Sequence, residues 1–490
     1  MAMLGKRRPA RAPSRRSVSA NARADVSPEA DAGVDILRLA HDGRGVARDA
    51  AGKMLFVDQA LPGERVRVAV HRSRKRFDEA HVREWLQTSP ERAAPACGHY
   101  TQCGGCDLQH LTLAAQRHYK RDVLVDQLAR QGLTLASLPS ILAGSALGYR
   151  RRARLGVKVD AQGRVRLGFR ARGSHHLVDI ERCPILTPRL AGLLAPLRQR
   201  LGELAAPRQV GHIELIDSDD DVAVVIRQLR DNPGDERAWH TWSDRHGVRL
   251  ALLEGRENPT LRWLGCSSAP EPRCSSASES RCVKAPELRY TLLSGERLLR
   301  LGFAPGDFLQ VNAEVNQALV STALDWLRPS GSERVLDLFA GVGNFALTLA
   351  PHVAQVTAME GSPAMVERIA ANARRNALYN VEARQADLNR APALERAFDL
   401  AVLDPPRDGA EALCRALAES QVARLLYVSC DAATLARDVA HLVQGGYRIA
   451  RAAVADMFVQ TAHLESMLLL EREGGQPTRT GGTQGHGQGS

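Results

Sequence analysis

Cys430 stands where a thiol can do chemistry. In YVSCDAATLARD, residues 427–438, the apolar run RLLYVS reads as a buried strand. The segment after Asp431, with Leu435 and Val439 on one stripe, reads as a helix, and Cys430 falls at the junction. A helix amino terminus carries partial positive charge and lowers a thiol's pKa, so this placement predicts a thiolate nucleophile. A small buried cysteine is the competing reading. Cys414, inside the helical pattern EALCRALAE, is read that way. HLESM, residues 463–467, adds Glu465 at the start of the apolar strand LESMLLLE. Desolvation there raises a carboxyl toward the working range of a general base, while a capping glutamate is the bland alternative.

A second set of residues reads as a nucleoside site. DLFAGVGNF, residues 337–345, joins a strand to a helix, and Gly341 and Gly343 permit a tight turn with close backbone approach to a ligand. Glu360, 19 residues beyond Gly341, ends the next strand, where a carboxylate accepts both ribose hydroxyls of an adenosine. Asp387, in ADL, ends the third strand within reach of an adenine edge. No P-loop motif and no second glycine run cradles phosphates, which favours S-adenosylmethionine over NAD or ATP. In DPPRDG two prolines stiffen the loop that carries Asp404. A methyl donor, a thiolate and a base together point to carbon 5 of a pyrimidine. Thiolate addition at carbon 6 makes carbon 5 nucleophilic; a base then removes the carbon-5 proton and the thiolate leaves.

Thiols also cluster elsewhere. Cys97, Cys103 and Cys106 have the spacing C-x5-C-x2-C, and Cys183 in ERCPIL is a distant fourth. Four thiolates hold zinc or an iron–sulfur cluster, and the spacing leaves both open. Cys266, Cys274 and Cys282 lie in a Ser/Pro/Ala-rich insert, residues 265–283, that reads as a loop without an assigned role.

The elements that must position these groups follow from the pattern. Between residues 331 and 471, RVLDLFA, AQVTAME, FDLAVLD, RLLYVS and YRIARAAV alternate with helical stretches, and ESMLLLE closes the series. Such alternation predicts an α/β domain, a parallel sheet with helices on both faces and ligands at the carboxyl ends of its strands. Residues 93–330 mix strands and helices. Residues 34–92 read as a small β-barrel, with RVRVAV alternating and the basic cluster HRSRKRF, residues 71–77, at a strand end. Residues 1–33 and 472–490 read as disordered tails. The chain has 490 residues, nine cysteines and a net charge of +11, of which residues 1–30 supply +5. This argues for a reducing, cytoplasmic setting and a polyanionic partner; no apolar run is long enough to span a membrane.

CGHYTQCGGCDLQH, LGYRRRARLG, FAPGDFLQVNAEVNQ, DLFAGVGNF, LDPPR, YVSCDAATLARD and MFVQTAHLES together resemble the RNA uracil-5-methyltransferases, above all the bacterial enzymes acting on 23S ribosomal RNA. The resemblance covers about residues 34–471. It implies a class I (Rossmann-like) S-adenosylmethionine methyltransferase sheet, an amino-terminal TRAM-like RNA-binding barrel, and a central α+β domain carrying a [4Fe-4S] cluster on Cys97, Cys103, Cys106 and Cys183. It implies Cys430 as nucleophile and Glu465 as base, with Gln310, Phe339, Asn344, Glu360, Asp387 and Asp404 around the cofactor. Gln310 and Phe339 do not follow from spacing. The expected product is 5-methyluridine in 23S ribosomal RNA, with no obligate protein partner. A different ribosomal or transfer-RNA uridine, a small-molecule methyl acceptor, and a non-catalytic RNA-binding assembly factor are the alternatives. Arg150, Arg151, Arg152 and Arg154 are offered to phosphates, and Tyr149 to stacking, with a solvated strand face as the alternative.

Overall fold

The structure is a computed structural model that describes residues 33–255, 257, 259–265, 287–390 and 398–472. Apart from their inner ends, the two expected tails lie outside the described residues, as does most of the insert with its three cysteines.

Continuous apolar runs need cover on both faces, and the runs VLDL, LAVL and LLYVS receive it. They form the middle of an eight-stranded sheet whose order is Val381–Gln385, Gln355–Glu360, Arg334–Leu338, Leu400–Leu403, Arg424–Ser429, Glu465–Arg472, Tyr447–Ala455 and Ser140–Leu142. The first five strands are mutually parallel; Glu465–Arg472 runs antiparallel between its two neighbours. Alternate residues of each strand face opposite layers. Val335, Val356, Val402 and Leu426 pack on Leu319 and Val320 of the Ala313–Leu327 helix and on Leu299 and Leu301 of a hairpin. Leu336, Leu338 and Leu403 pack on Leu124 and Leu128 of the Leu113–Arg130 helix and on Leu435 and Val439 of the Ala432–Gln444 helix.

Before this sheet in the chain comes a seven-stranded one, ordered Leu177–Asp179, Val165–Arg170, Arg152–Val159, Val210–Asp217, Val222–Gln228, Arg249–Glu254 and Thr260–Trp263. The strand Ser140–Leu142, from the same central part of the chain, instead joins the edge of the large sheet parallel to Tyr447–Ala455. At the amino end, Arg65–Ser73 and Phe77–Gln87 lead a six-stranded sheet whose alternation buries Val66 and Ala80 against Ile36, Leu55 and Val57. Among the described residues no helix is long and apolar enough to cross a membrane.

One buried ion pair fastens the Leu113–Arg130 helix to the segment that leads into Glu465. Lys120 and Asp456 meet at 2.8 Å with both side chains almost wholly buried. Lys120 Nζ also donates to the Phe458 carbonyl at 2.9 Å, and Arg117 Nε donates to the other Asp456 oxygen at 3.0 Å. Gln116 completes the clasp by exchanging hydrogen bonds with Gln460.

Candidate active site

Parallel strands end at one rim, and the sequence-predicted residues gather there. Phe339, Asp404 and Cys430 each follow directly on their strands, and Glu360 is the last residue of its own. The Asp404 amide donates to the Leu338 carbonyl at 3.3 Å, so Asp404 lies beside Phe339. Asp387 lies two residues past the end of Val381–Gln385 rather than on it, and its carboxylate accepts from the Asn389 amide at 3.2 Å.

Cys430 and Glu465 meet through strand register. Ser429 pairs with Ser466 in the antiparallel ladder, which carries Cys430 next to Glu465 across the strands. Glu465 is buried, at 5% exposure, and its carboxyl is pushed well up by that burial and then by the charge of Asp404. Asp404 keeps some solvent access by area, but protein packs densely around its carboxyl, which burial raises to about 7.

The surroundings of Cys430 oppose the lowering of its pKa that its place before a helix suggested. Burial, followed by the neighbouring Glu465 carboxylate, pushes the Cys430 thiol up to about 11, against a smaller lowering by Arg407. The helix terminus does not offset this because it is already satisfied. Asp431 is the N-cap, and its Oδ1 accepts from the amides of Ala433 and Thr434, both at 3.0 Å. Cys430 therefore sits before a capped helix, in surroundings that favour the neutral thiol.

The glycine loop has the form expected for a nucleoside. Gly341 takes φ +57° with open space where a Cβ would stand, and Gly343 takes φ +97°. Glu360 Oε2 accepts from the Gly341 amide at 3.0 Å, while Oε1 accepts from the Gly361 and Ser362 amides at 2.8 and 3.2 Å. Phe339 holds φ +63°, a left-handed conformation that costs a bulky residue energy and that clusters at ligand sites. Asn344 exchanges two amide hydrogen bonds with Asn316, both at 3.0 Å. Gln310 is buried, and its carbonyl accepts from Arg151 Nε at 2.9 Å. Two features escaped the sequence reading. Phe308 is 65% exposed just before Gln310, and Asp337 is buried within its strand, its carboxyl pushed well up by burial. The signal for Phe308 was an aromatic in a polar Gly-Asp loop.

The four thiols converge as well. Cys97, Cys106 and Cys183 share one apolar cluster with Tyr100, Tyr149, Ile185 and Val459. Cys103 lies close by, its Sγ accepting from the Gly105 amide at 3.4 Å. Burial pushes Cys106 up to about 12 and Cys183 up to about 11, and the other thiols of the set add to each shift. Among the described residues, the only group of three ligand atoms within 4.8 Å of one another is Asp231, Glu236 and Glu254. Arg262 already binds Glu236 and Glu254 through both carboxylates. The cysteine sulfurs are thus spread more widely than the tight tetrahedron of one zinc ion, whose Zn–S bonds are about 2.3 Å.

This sheet order, with a glycine loop and an acid at the next strand end, defines a methyltransferase that uses S-adenosylmethionine. Comparison with known proteins narrows the class. Residues 276–473 match the family model for tRNA (Uracil-5-)-methyltransferase, and residues 33–82 match the TRAM domain. The chain is 60% identical to the 23S rRNA (uracil(1939)-C(5))-methyltransferase RlmD of Chromohalobacter salexigens, with 100% of both chains covered. It is 54% identical to the enzyme of the same name from Halomonas elongata, covering 96% of this chain and 97% of that one. Among solved structures, the Pyrococcus abyssi tRNA (uracil-54, C5)-methyltransferase in complex with S-adenosyl-L-homocysteine superposes with a TM-score of 0.68. It covers 89% of this chain at 22% identity, a likeness of fold. The chain belongs to the RlmD family of 23S rRNA (uracil-C5)-methyltransferases.

Proposed function

We propose that this enzyme transfers a methyl group from S-adenosylmethionine to carbon 5 of one uridine in 23S ribosomal RNA, with Cys430 as nucleophile and Glu465 as base. The observation that carries the reading is the register placing Cys430 beside Glu465 on the rim that also bears Glu360 and the glycine loop. Glu360, Asp387, Asn344, Gln310, Phe339 and Asp404 line the cofactor side. S-Adenosylmethionine supplies the methyl as an electrophilic sulfonium.

Burial favours the uncharged forms of Cys430 and Glu465, so the protons must be accounted for. Sγ of Cys430 forms a bond to carbon 6 as its own proton leaves; Asp404, titrating at about 7, is the acceptor the site offers. The electron pair of the 5,6 double bond moves toward carbon 5 and the carbon-4 carbonyl, and carbon 5 takes the methyl as the S–CH3 bond breaks and its electron pair stays on the sulfur of S-adenosylhomocysteine. Glu465, having first given up its own proton to solvent as substrate binds, then removes the carbon-5 proton as a carboxylate. The double bond re-forms and Sγ departs. Burial that makes Glu465 a weak acid also makes its carboxylate a strong base.

Cys97, Cys103, Cys106 and Cys183 would hold a [4Fe-4S] cluster. Their spread favours a cubane over a single ion, and buried, mutually repelling thiols ionise only beside positive metal. The bound cluster would supply structure rather than electrons, because methyl transfer needs none. Tyr149 Oη donates to the Val459 carbonyl at 2.8 Å, and the amides of Asp107 and Leu108 donate to the Gln460 carbonyl, so the cluster region braces the segment that carries Glu465. Protein purified without air should be brown, with about four iron atoms per chain; a colourless, zinc-loaded preparation would remove the cluster. The six-stranded sheet at residues 33–87 would act as a TRAM barrel on RNA backbone. The deciding experiment incubates the protein with unmodified 23S ribosomal RNA and maps 5-methyluridine by sequencing. A single methylated position, absent with Cys430→Ala, is the expected result; methylation persisting in the variant removes the nucleophile assignment.

A further inference from the structure

The helix Ala432–Gln444 follows Cys430 and divides its work between two faces. Leu435, Val439 and Leu442 pack against the sheet. Thr434, Arg437 and Asp438, spaced as neighbours on a helix surface, form an adjoining polar face. That face meets the proline loop that runs on from Asp404. Thr434 Oγ1 donates to the Arg407 carbonyl at 3.1 Å, and Arg437 Nη2 donates to the Asp408 carbonyl at 2.9 Å. Asp438 Oδ2 accepts from the Ala410 amide at 2.6 Å. The same oxygen accepts from Tyr427 Oη at 2.6 Å, and Oδ1 pairs with Arg437 at 2.7 Å. One carboxylate thus joins the strand that leads to Cys430, the helix that follows it and the loop that follows Asp404.

Asp438 is wholly buried. Helix packing alone would be served by an apolar residue there, since a buried ion pair contributes little net stability over a well-packed apolar replacement. A carboxylate adds direction instead, because its bonds fix where each donor lies. The loop is shaped to it. Gly409 takes φ +78°, and a Cβ there would stand 2.5 Å from Asp438 Oδ2. No other residue fits without displacing the carboxylate. The side chains that depend on this loop stand near the thiol: Arg407 and Asp404, with Glu465, are the charged groups that act on Cys430.

We propose that Asp438 is a positioning residue: it fixes the loop from Asp404 to Ala410 against the helix behind Cys430, and so holds Asp404 and Arg407 at the thiol while the thiol adds to uracil. In that step the bond from Sγ to carbon 6 forms, the 5,6 electron pair moves to carbon 5 and the thiol proton passes to Asp404. Asp438 is buried away from substrate and cofactor and acts through the loop. This rests on the reading of Cys430 as the nucleophile.

The test uses a 23S fragment whose target uridine carries fluorine at carbon 5. Carbon 5 can take the methyl but then has no proton to lose, so the protein stays joined to the RNA whatever Glu465 does. The rate of adduct formation at saturating RNA and S-adenosylmethionine is compared with the RNA dissociation constant for wild type, Asp438→Asn and Thr434→Val. Thr434→Val loses the hydroxyl bond to the loop and keeps the amide that bonds to the Asp431 cap. Asp438→Asn should form adduct roughly tenfold more slowly and Thr434→Val roughly threefold, with RNA binding within about twofold of wild type. A merely structural role would lower the melting temperature and leave the adduct rate of the folded protein unchanged; that result overturns the proposal. A loss confined to RNA binding overturns it too. Should Asp438→Asn not fold, Thr434→Val decides alone: a slowed adduct supports the proposal and a wild-type rate overturns it. Wild type that binds the fragment and forms no adduct overturns both this proposal and the nucleophile assignment beneath it.

Discussion

At the scale of single residues, Cys430 and Glu465 were legible because strand patterns are local and both residues interrupt one. Their ionisation was not. Whether a helix terminus activates a thiol depends on what else occupies its amides, and here Asp431 does. On the proposed mechanism the thiol is deprotonated during attack, which ties the rate to the carboxyls around it. Glu465→Gln should still allow Cys430 to add and the methyl to transfer, and then stall with the carbon-5 proton in place. A denaturing gel should show protein cross-linked to RNA; turnover at the wild-type rate with no adduct would exclude Glu465 as the base. Asp404 and its neighbour Glu465 both have carboxyls raised by burial, and Asp404 is the one whose titration falls near neutrality. Its folded carboxyl titrates at about 7 against an ordinary 3.8, so the fold favours the protonated form. Stability from this group is complete below the ordinary value and is lost as pH rises toward 7. Methylation should instead rise through the same window, as the acceptor for the thiol proton ionises. Asp404→Asn should flatten both profiles, seen in melting temperature and in initial rate between pH 5 and 8. A variant that keeps the wild-type pH dependence of both would show that another group governs it.

At the scale of elements, the alternation of strands and helices was readable from residue 331 onward because parallel strands buried on both faces leave continuous apolar runs. What the pattern could not reveal is which distant pieces brace the rim. Ser140–Leu142 extends the large sheet, and the Leu113–Arg130 helix covers it, through contacts spanning more than 300 residues of chain. Lys120 reads as an ordinary polar residue of a helix whose apolar stripe is weak. Only folding shows it buried against Asp456. Breaking such a pair costs more than it contributed, because a charge is left without its partner. Lys120→Met should destabilise the protein by about 3 kcal/mol, the low end for a broken buried pair, since Arg117 remains on Asp456. Methylation should fall with it, because the segment from Asp456 to Glu465 loses its anchor. Adding Asp456→Leu should recover much of the stability. Chemical denaturation of the single and double variants measures this, and a double variant no more stable than the single would count against the pair as the cause.

At the scale of the whole molecule, one active rim is served by parts of the chain whose charges differ in purpose. The +11 net charge does not by itself mark a nucleic-acid protein, and most arginines of the described chain are committed to ion pairs or carbonyls. Arg151 and Arg152, read from sequence as phosphate ligands, are instead tied to Gln310 and Glu214. The cluster at His71–Arg76 differs: all six residues are exposed at the turn between Arg65–Ser73 and Phe77–Gln87, and among the described residues only Arg72 of its basic side chains forms an ion pair, with Glu79 at 3.5 Å. Residues 33–82 match the TRAM model, and we propose this exposed basic turn as the place where the amino-terminal sheet meets RNA backbone. Each phosphate neutralised releases condensed counterions, and the logarithm of affinity falls with that of salt by about 0.7 per contact on a single strand. Lys75→Ala with Arg76→Ala should therefore reduce the slope for a 23S fragment by roughly 1.4. The rate at saturating RNA should not change, because neither Lys75 nor Arg76 is among the residues of the cofactor rim or beside Cys430. Filter binding between 50 and 200 mM salt, roughly the range over which such slopes are resolved, reads the first quantity, and initial rates read the second. An unchanged slope would move the backbone contact away from this turn; an unchanged slope with a lower rate would make the turn part of the methyl-transfer geometry instead.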